Sequence, residues 1–219
     1  MRPAICVYAE ADMNILMLGN SFTYFNDMPG MLAGELNASV TEVVRGGAFL
    51  HDFLSQEDEL CQMGMAALLG EIHEREGREM CRTFGEKPQG KWDYVVIQEQ
   101  SFNAVGNPED YLKSATELIR RIKSVGAVPV IYATWAYRDG SMKLKSTWLS
   151  FSEMRERQTK TYINAAKECG ALLADVGAAF EKADFNVYND DDYHPNQQAS
   201  RLAAHVIADA IRAHAGVDK

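Results

Sequence analysis

Basic residues are scarce in this chain. It carries 22 Lys and Arg against 31 Asp and Glu over 219 residues, a formal net charge of -9. Phosphate contacts need clustered cations, so nucleic acid is not an expected partner. Long apolar runs are missing as well. No window approaches the roughly 18 uninterrupted apolar residues of a membrane helix, and residues 1–12 hold one Arg but no apolar core of secretory length. The expectation is a cytoplasmic protein with no membrane partner. Cysteine is sparse and scattered: Cys6, Cys61, Cys81 and Cys169 form no C-x-x-C pair and have no histidine at zinc spacing. That points away from a metal site, a redox centre or disulfides, and towards free cysteines in a reducing compartment.

What is present suits one globular domain. Hydrophobic residues at 47% and charged residues at 24% are ordinary values, and a chain of this length buries a full core without forcing a second one. No internal period suggests repeats. The apolar run from Asn14 to Gly19 is broken by Gly19-Asn20-Ser21, and Met28, Leu32 and Leu36 follow at four-residue spacing. This reads as strand, tight turn, helix. Strand content recurs at residues 40–44, 92–97, 128–134 and 171–176, alternating with helical faces, of which residues 199–211 are the best patterned. Five such strands predict a single three-layer α/β/α sandwich on a parallel, flavodoxin-like sheet over residues 13–215. Residues 1–12 are either an extension before a start at Met13 or contain an edge strand at residues 4–8. The charged run at residues 71–79 reads as a solvated helix end, and His73 is a poor metal ligand there because Arg75 and Arg78 interleave its glutamates.

Ser21 stands at the carboxyl end of the first strand, where such a sheet presents side chains and helix N-termini to ligands. A plain N-cap is the alternative. Near the other end, Asp191-Asp192-Tyr193-His194 puts a carboxylate three residues before a histidine, just ahead of the final helix. A nucleophilic serine needs a base, and the base needs a group that fixes its tautomer. Asp190 and Asp192 flank Asp191, so an acidic turn or a hard-cation site competes at that position. Arg45-Gly46-Gly47 closes the second strand with glycines that either turn the chain or bring bare N–H groups to a ligand. Gln98-Glu99-Gln100-Ser101 follows the strand at 92–97, and alternation points both glutamines to one side and Glu99 to the other. Trp135, Tyr137 and Arg138 suit stacking on a sugar or gripping an acid group, or else loop packing.

Gly19-Asn20-Ser21 combined with a late Asp191-x-x-His194 resembles the SGNH, or GDSL-like, hydrolase superfamily, and the similarity runs from Met13 to the last helix. The resemblance implies a serine esterase with Ser21 as nucleophile, His194 as base and Asp191 orienting the base, with no cofactor and no metal. It also implies an oxyanion hole built from the N–H of Ser21, that of Gly47 with Gly46 as the near alternative, and one side-chain donor. The superfamily usually reads Gly-Asp-Ser and Gly-x-Asn-Asp where this chain reads Gly-Asn-Ser and Gln-Glu-Gln-Ser. The side-chain donor therefore falls to Gln100 or Gln98, with Gln100 ranked first. Asn20, Trp135 and Tyr137 are the expected substrate contacts. The expected reaction is hydrolysis of a short acyl ester, acetate on a carbohydrate above all, so the expected partner is a small-molecule ester such as an acylated sugar. A non-catalytic glycan or small-ligand binder on the same fold is one alternative, and a thioesterase or lipid esterase is the other. A protein starting at Met13 is expected to fold and keep its activity; loss of a cooperative melting transition on that truncation would place a structural strand at residues 4–8.

Overall fold

The run Asn14–Gly19 (β1) is buried at every position, as a parallel strand covered on both faces must be. After it come α1 (Ser21–Tyr24), a 3-10 turn (Phe25–Asp27), α2 (Met28–Leu36), β2 (Ser39–Arg45), a second 3-10 turn (Leu50–Leu54), α3 (Glu59–Leu68), β3 (Glu79–Phe84) and β4 (Tyr94–Ile97). The second half runs α4 (Asn103–Gly106), α5 (Pro108–Ser124), β5 (Val128–Ala133), α6 (Met142–Lys145), α7 (Phe151–Cys169), β6 (Leu172–Asp175), α8 (Val176–Lys182) and α9 (Gln197–Ala215). The computed structural model describes residues 13–216; the extension or strand expected within residues 1–12 lies outside them. Among the described residues no helix is long and apolar enough to cross a membrane.

The strands lie in the order β3-β2-β1-β4-β5-β6. β1 pairs in parallel with β2 and β4, β4 with β5, and β5 with β6. These five parallel strands follow the flavodoxin-like order, and the winding reverses between β1 and β4, which is where open α/β sheets bind ligands. Strand alternation feeds two cores. Leu16 and Leu18 of β1 pack with Leu60 of α3, Leu118 of α5 and Tyr162 of α7, whereas Ile15 and Met17 pack with Leu32 of α2 and Ala203 and Ile207 of α9. The helix starts carry local signals that agree with this layering. Asn107 caps α5 ahead of Pro108, Ser150 and Glu153 form a capping box on α7, and Asn196 caps α9.

Among the described residues the sheet has six strands, not the five expected. The sixth, β3, runs antiparallel to β2 at the edge, with Cys81 opposite Val43 and Arg82 opposite Glu42. α3 ends at Leu68, and the charged run expected to finish a helix leads instead into this edge strand. Charge on an exposed edge blunts pairing with other chains, and it also hides the strand from a reading by hydrophobic period.

Glu42 is fully buried in β2. Its Oε1 accepts from Arg82 Nε at 2.6 Å, while its Oε2 has no hydrogen-bond partner among the described residues. Burial pushes the Glu42 carboxyl above its ordinary range, and Arg82 opposes the shift. Arg82→Met removes the cation that lies on this buried carboxylate, a change of the kind that costs about 3 kcal/mol. The folded-state carboxyl already titrates above the unfolded one, so the neutral form is favoured in the fold and stability falls as pH rises through that window. The loss in the variant is therefore expected to be larger at about pH 8 than at about pH 4 in melting curves, and equal losses would remove the charge as its cause.

Candidate active site

At the end of β1 the chain turns from strand to helix within two residues. Asn20 is extended and caps α1, its Oδ1 accepting from Phe22 N at 3.1 Å, so Ser21 is the first helical residue and not the cap. Its N–H, like any at a helix start, lacks an intrahelical partner. Gln98 braces the turn from the end of β4: its Oε1 accepts from Asn20 N at 3.0 Å and from Thr23 Oγ1 at 2.9 Å. Gly19 makes this possible, because a Cβ there would stand 2.3 Å from Thr23 Oγ1 and 2.8 Å from Gln98 Oε1.

Facing this turn is the segment between α8 and α9. It doubles back through a bridge between Tyr188 and Pro195, Asn189 N donates to His194 O at 2.8 Å, and Asn196 N donates to Val187 O at 3.0 Å. Asp191 organises its tip. Asp191 Oδ1 accepts from Tyr193 N at 3.2 Å and His194 N at 2.9 Å, and Oδ2 lies 2.6 Å from His194 Nδ1. His194 Nε2 lies 2.8 Å from Ser21 Oγ. A carboxylate at Nδ1 selects the tautomer with its proton there, leaving Nε2 to accept from the serine hydroxyl. Burial raises the Asp191 carboxyl, but the donated bonds of His194 and Tyr193 outweigh it and hold it below the usual carboxylate range. Rings enclose the imidazole: Phe25 stacks on it at 4.2 Å, Tyr193 lies at 4.1 Å, and Phe22 meets it edge-on at 5.5 Å. Asp192 is drawn onto Arg138 at 3.0 Å instead of joining Asp191.

The turn after β2 lies beside Ser21. Ala48 N donates to Arg45 O at 3.1 Å, with Gly47 at φ +73° in the third position, as a type II turn requires. Asn20 Nδ2 donates to Ala48 O at 2.8 Å and so ties the two turns together. Among the described residues no hydrogen bond occupies the N–H groups of Ser21, Gly46 or Gly47.

No protein-family model and no curated protein matches the sequence. Among solved structures, the chain is 39% identical to a protein of Slackia heliotrinireducens assigned as an SGNH hydrolase, over 91% of this chain and 98% of that one, with a TM-score of 0.80. The chain belongs to the SGNH hydrolases. It is an enzyme of the ester-hydrolysing class. The same fold occurs in a DUF4886 family protein from Bacteroides uniformis ATCC 8492, 20% identical with a TM-score of 0.65 over 90% of this chain and 82% of that one. It occurs again in the acetylxylan esterase Axe2 of Geobacillus stearothermophilus, 16% identical with a TM-score of 0.57 over 92% and 94%.

Several residues expected to meet substrate in this SGNH hydrolase pack inside it instead. Asn20 is 2% exposed and holds its own turn. Trp135 stacks between Phe22 and Phe180 at 4.4 Å from each, and its Nε1 donates to Tyr193 O at 2.9 Å. Tyr137 is buried, its hydroxyl 2.7 Å from Ser101 Oγ, and Arg138 pairs with Asp192 and Asn186. These aromatics brace the histidine loop from below. The two glutamines separate as well. Gln98 is 1% exposed and its Nε2 donates to Glu99 O, so its carboxamide is closed off from a ligand. Gln100 is half-buried, with Nε2 donating to Ser101 Oγ at 3.1 Å, and it lines an open groove with Phe49, Phe102 and Lys143. The sequence reading did not single out Phe25, Arg45 or Glu99. Only Glu99 carried a signal, as a lone acid between two glutamines at a strand end. Gln98→Leu strands the buried Asn20 N–H, and should lower stability by about 2 kcal/mol. Gln100→Leu frees only the half-buried Phe102 N–H, which donates to its Oε1 at 2.8 Å, and should cost less stability than Gln98→Leu; equal losses from the two would contradict the division between strut and groove residue.

Proposed function

We propose that this hydrolase cleaves short acyl esters through Ser21, His194 and Asp191, with an acetylated sugar as the substrate class. The observation that carries the reading is the chain of contacts from Ser21 Oγ to His194 Nε2 at 2.8 Å and from His194 Nδ1 to Asp191 Oδ2 at 2.6 Å. Ser21 Oγ attacks the ester carbonyl carbon while its proton passes to His194 Nε2, and Asp191 stabilises the resulting imidazolium. The tetrahedral oxyanion is met by the N–H groups of Ser21 and Gly47, with Gln100 Nε2 as the side-chain donor. Collapse expels the alcohol, which takes the proton from His194, and leaves an acyl-serine. Water then loses its proton to His194 as it attacks, and as the second tetrahedral intermediate collapses His194 returns that proton to Ser21 Oγ, releasing the acid. No cofactor enters these steps.

Unpaired N–H groups at Ser21 and Gly47 support this hole. A short acyl group is supported by the rings packed around His194, which is itself 8% exposed. A sugar is supported by the fold shared with an acetylxylan esterase, and by the groove of about 440 Å³ in which Gln100 stands beside Phe49, Phe102, Tyr137 and Lys143. The groove would hold the alcohol side of the ester. Ser21→Ala is expected to lower kcat on p-nitrophenyl acetate by at least about 10³-fold, with little change in melting temperature because Asn20 provides the cap. Acetyl esters should be turned over faster than long-chain ones, and acetate should be released from acetylated xylo-oligosaccharides. Preference for long acyl chains or for thioesters would move the enzyme to a lipid esterase or a thioesterase, and near wild-type activity in the Ser21 variant would remove it as nucleophile.

A further inference from the structure

We propose that Glu99 is a positioning residue for ester hydrolysis, whose carboxylate holds the turn after β2 in register with Ser21 so that the Gly47 N–H meets the oxyanion. The inference rests on the proposed function, since it gives Gly47 a catalytic donor. Glu99 is 1% exposed at the end of β4 and takes no part in the chemistry described so far. Its side chain is turned into the protein, between the loop after β2 and the start of α4. There its Oε1 accepts from Gln100 N at 2.6 Å and from Leu50 N at 3.2 Å, and its Oε2 accepts from Asn103 Nδ2 at 3.2 Å.

Two of those donors belong to segments that the proposed oxyanion hole needs. Leu50 ends the loop that begins at Arg45 and contains Gly47, and Gln100 is the proposed side-chain donor. A second strap runs parallel to the first. Asn103 Nδ2 also donates to Asp110 Oδ2 at 2.9 Å, and that oxygen lies 3.0 Å from Nδ1 of His51, the neighbour of Leu50. The loop is secured at its other points by Arg45 to Asp52 at 2.8 Å and to Asp58 at 2.7 Å, by Phe49 N to Asp52 Oδ2 at 3.0 Å, and by Asn20 to Ala48. Gly46 and Gly47 alone in it carry no such bond among the described residues. Asn20 thus sets the loop from β1, and Glu99 sets it from β4.

Burying a carboxylate is costly, and burial pushes this one up to about 7 against its three donors. A glutamine of the same length would avoid that cost, but it has only one acceptor oxygen and would turn an NH2 group towards one of three donors. A group that had only to fill this space needs no charge; one that must accept at both oxygens from two backbone segments and a side chain does. The carboxylate is held inside the protein by these donors, and in this proposal it acts through the loop and not on the oxyanion itself.

The test is steady-state hydrolysis of p-nitrophenyl acetate by Glu99→Gln, with melting curves and the inhibition constant of phenylboronic acid, which forms a tetrahedral adduct on serine. Loss of one oxyanion donor typically lowers turnover by about 10²–10³-fold, and a displaced donor is expected to lower kcat by about tenfold or more, with KM within about threefold. The boronic acid constant should rise in parallel. A variant with a lower melting temperature but kcat within about twofold, or with a raised kcat, would overturn the proposal and leave Glu99 a structural residue. If Glu99→Gln does not fold, Asn103→Leu removes the donor to Oε2 and should lower kcat several-fold at unchanged KM, whereas full kcat in that variant would overturn the proposal. Ser21→Ala serves as the control. If it stays active the esterase reading itself fails, while an inactive Ser21 variant beside fully active Glu99 and Asn103 variants sinks this inference alone.

Discussion

A single missing carbon governs the arrangement around Ser21. Gln98 and Thr23 occupy the space a side chain at position 19 would need, and their bond across it pins the Asn20 peptide in the extended conformation that starts α1. Without that close approach the strand would run on past the sheet edge, and the serine would not head a helix. The turn thus depends on a contact between neighbouring strands of one sheet, β1 and β4, at the point where the winding reverses. Position and chemistry coincide there because the switch point is the place where two strand ends diverge and leave a crevice between their loops.

Around that turn the loops are held mainly by side-chain carbonyl and carboxylate oxygens accepting from backbone N–H groups. Asp191 takes two in the histidine loop, Asp52 one in the loop after β2, Glu99 two across β4, and Asp175 one at the start of α8. Each converts an irregular segment, which has no ladder of its own, into a fixed one. A surplus of acidic residues is an awkward endowment for an enzyme whose proposed transition state gathers negative charge. In this fold several of those acids are turned into backbone acceptors or paired with arginine, as with Glu42 and Arg82, Asp58 and Arg45, and Asp192 and Arg138.

The parallel part of the sheet was legible because β1, β4 and β5 are buried almost throughout, so that their apolar runs survive in the sequence as blocks, and the edge strand β6 keeps an apolar run although it is only partly buried. β3 was not, because an edge strand carrying Glu79 and Arg82 has the composition of a solvated helix end. Ser21, Asp191 and His194 stood out by residue type and by the turn signals around them, and the structure brings these three within hydrogen-bond distance. Trp135, expected at a ligand, stacks instead between Phe22 and Phe180, since an aromatic at a strand end looks the same in sequence whether it faces a sugar or the underside of a loop. The separate fates of Gln98 and Gln100 were beyond alternation alone: both point to one side, and only the fit of Gln98 over Gly19 decides which is enclosed. Glu99 was passed over because its partners, Leu50 and Asn103, are identified by nothing but the folded chain.

The bond between His194 Nε2 and Ser21 Oγ spans 173 residues of sequence. Among the described elements, Ser21 is made before five of the six strands and His194 after all of them. A growing chain therefore holds Ser21 without this partner until the segment ahead of α9 has been made, and on the proposed mechanism a fragment lacking that segment has no base for the serine. On the proposed mechanism the reactivity of Ser21 reports that the end of β1 and the segment between α8 and α9 have met.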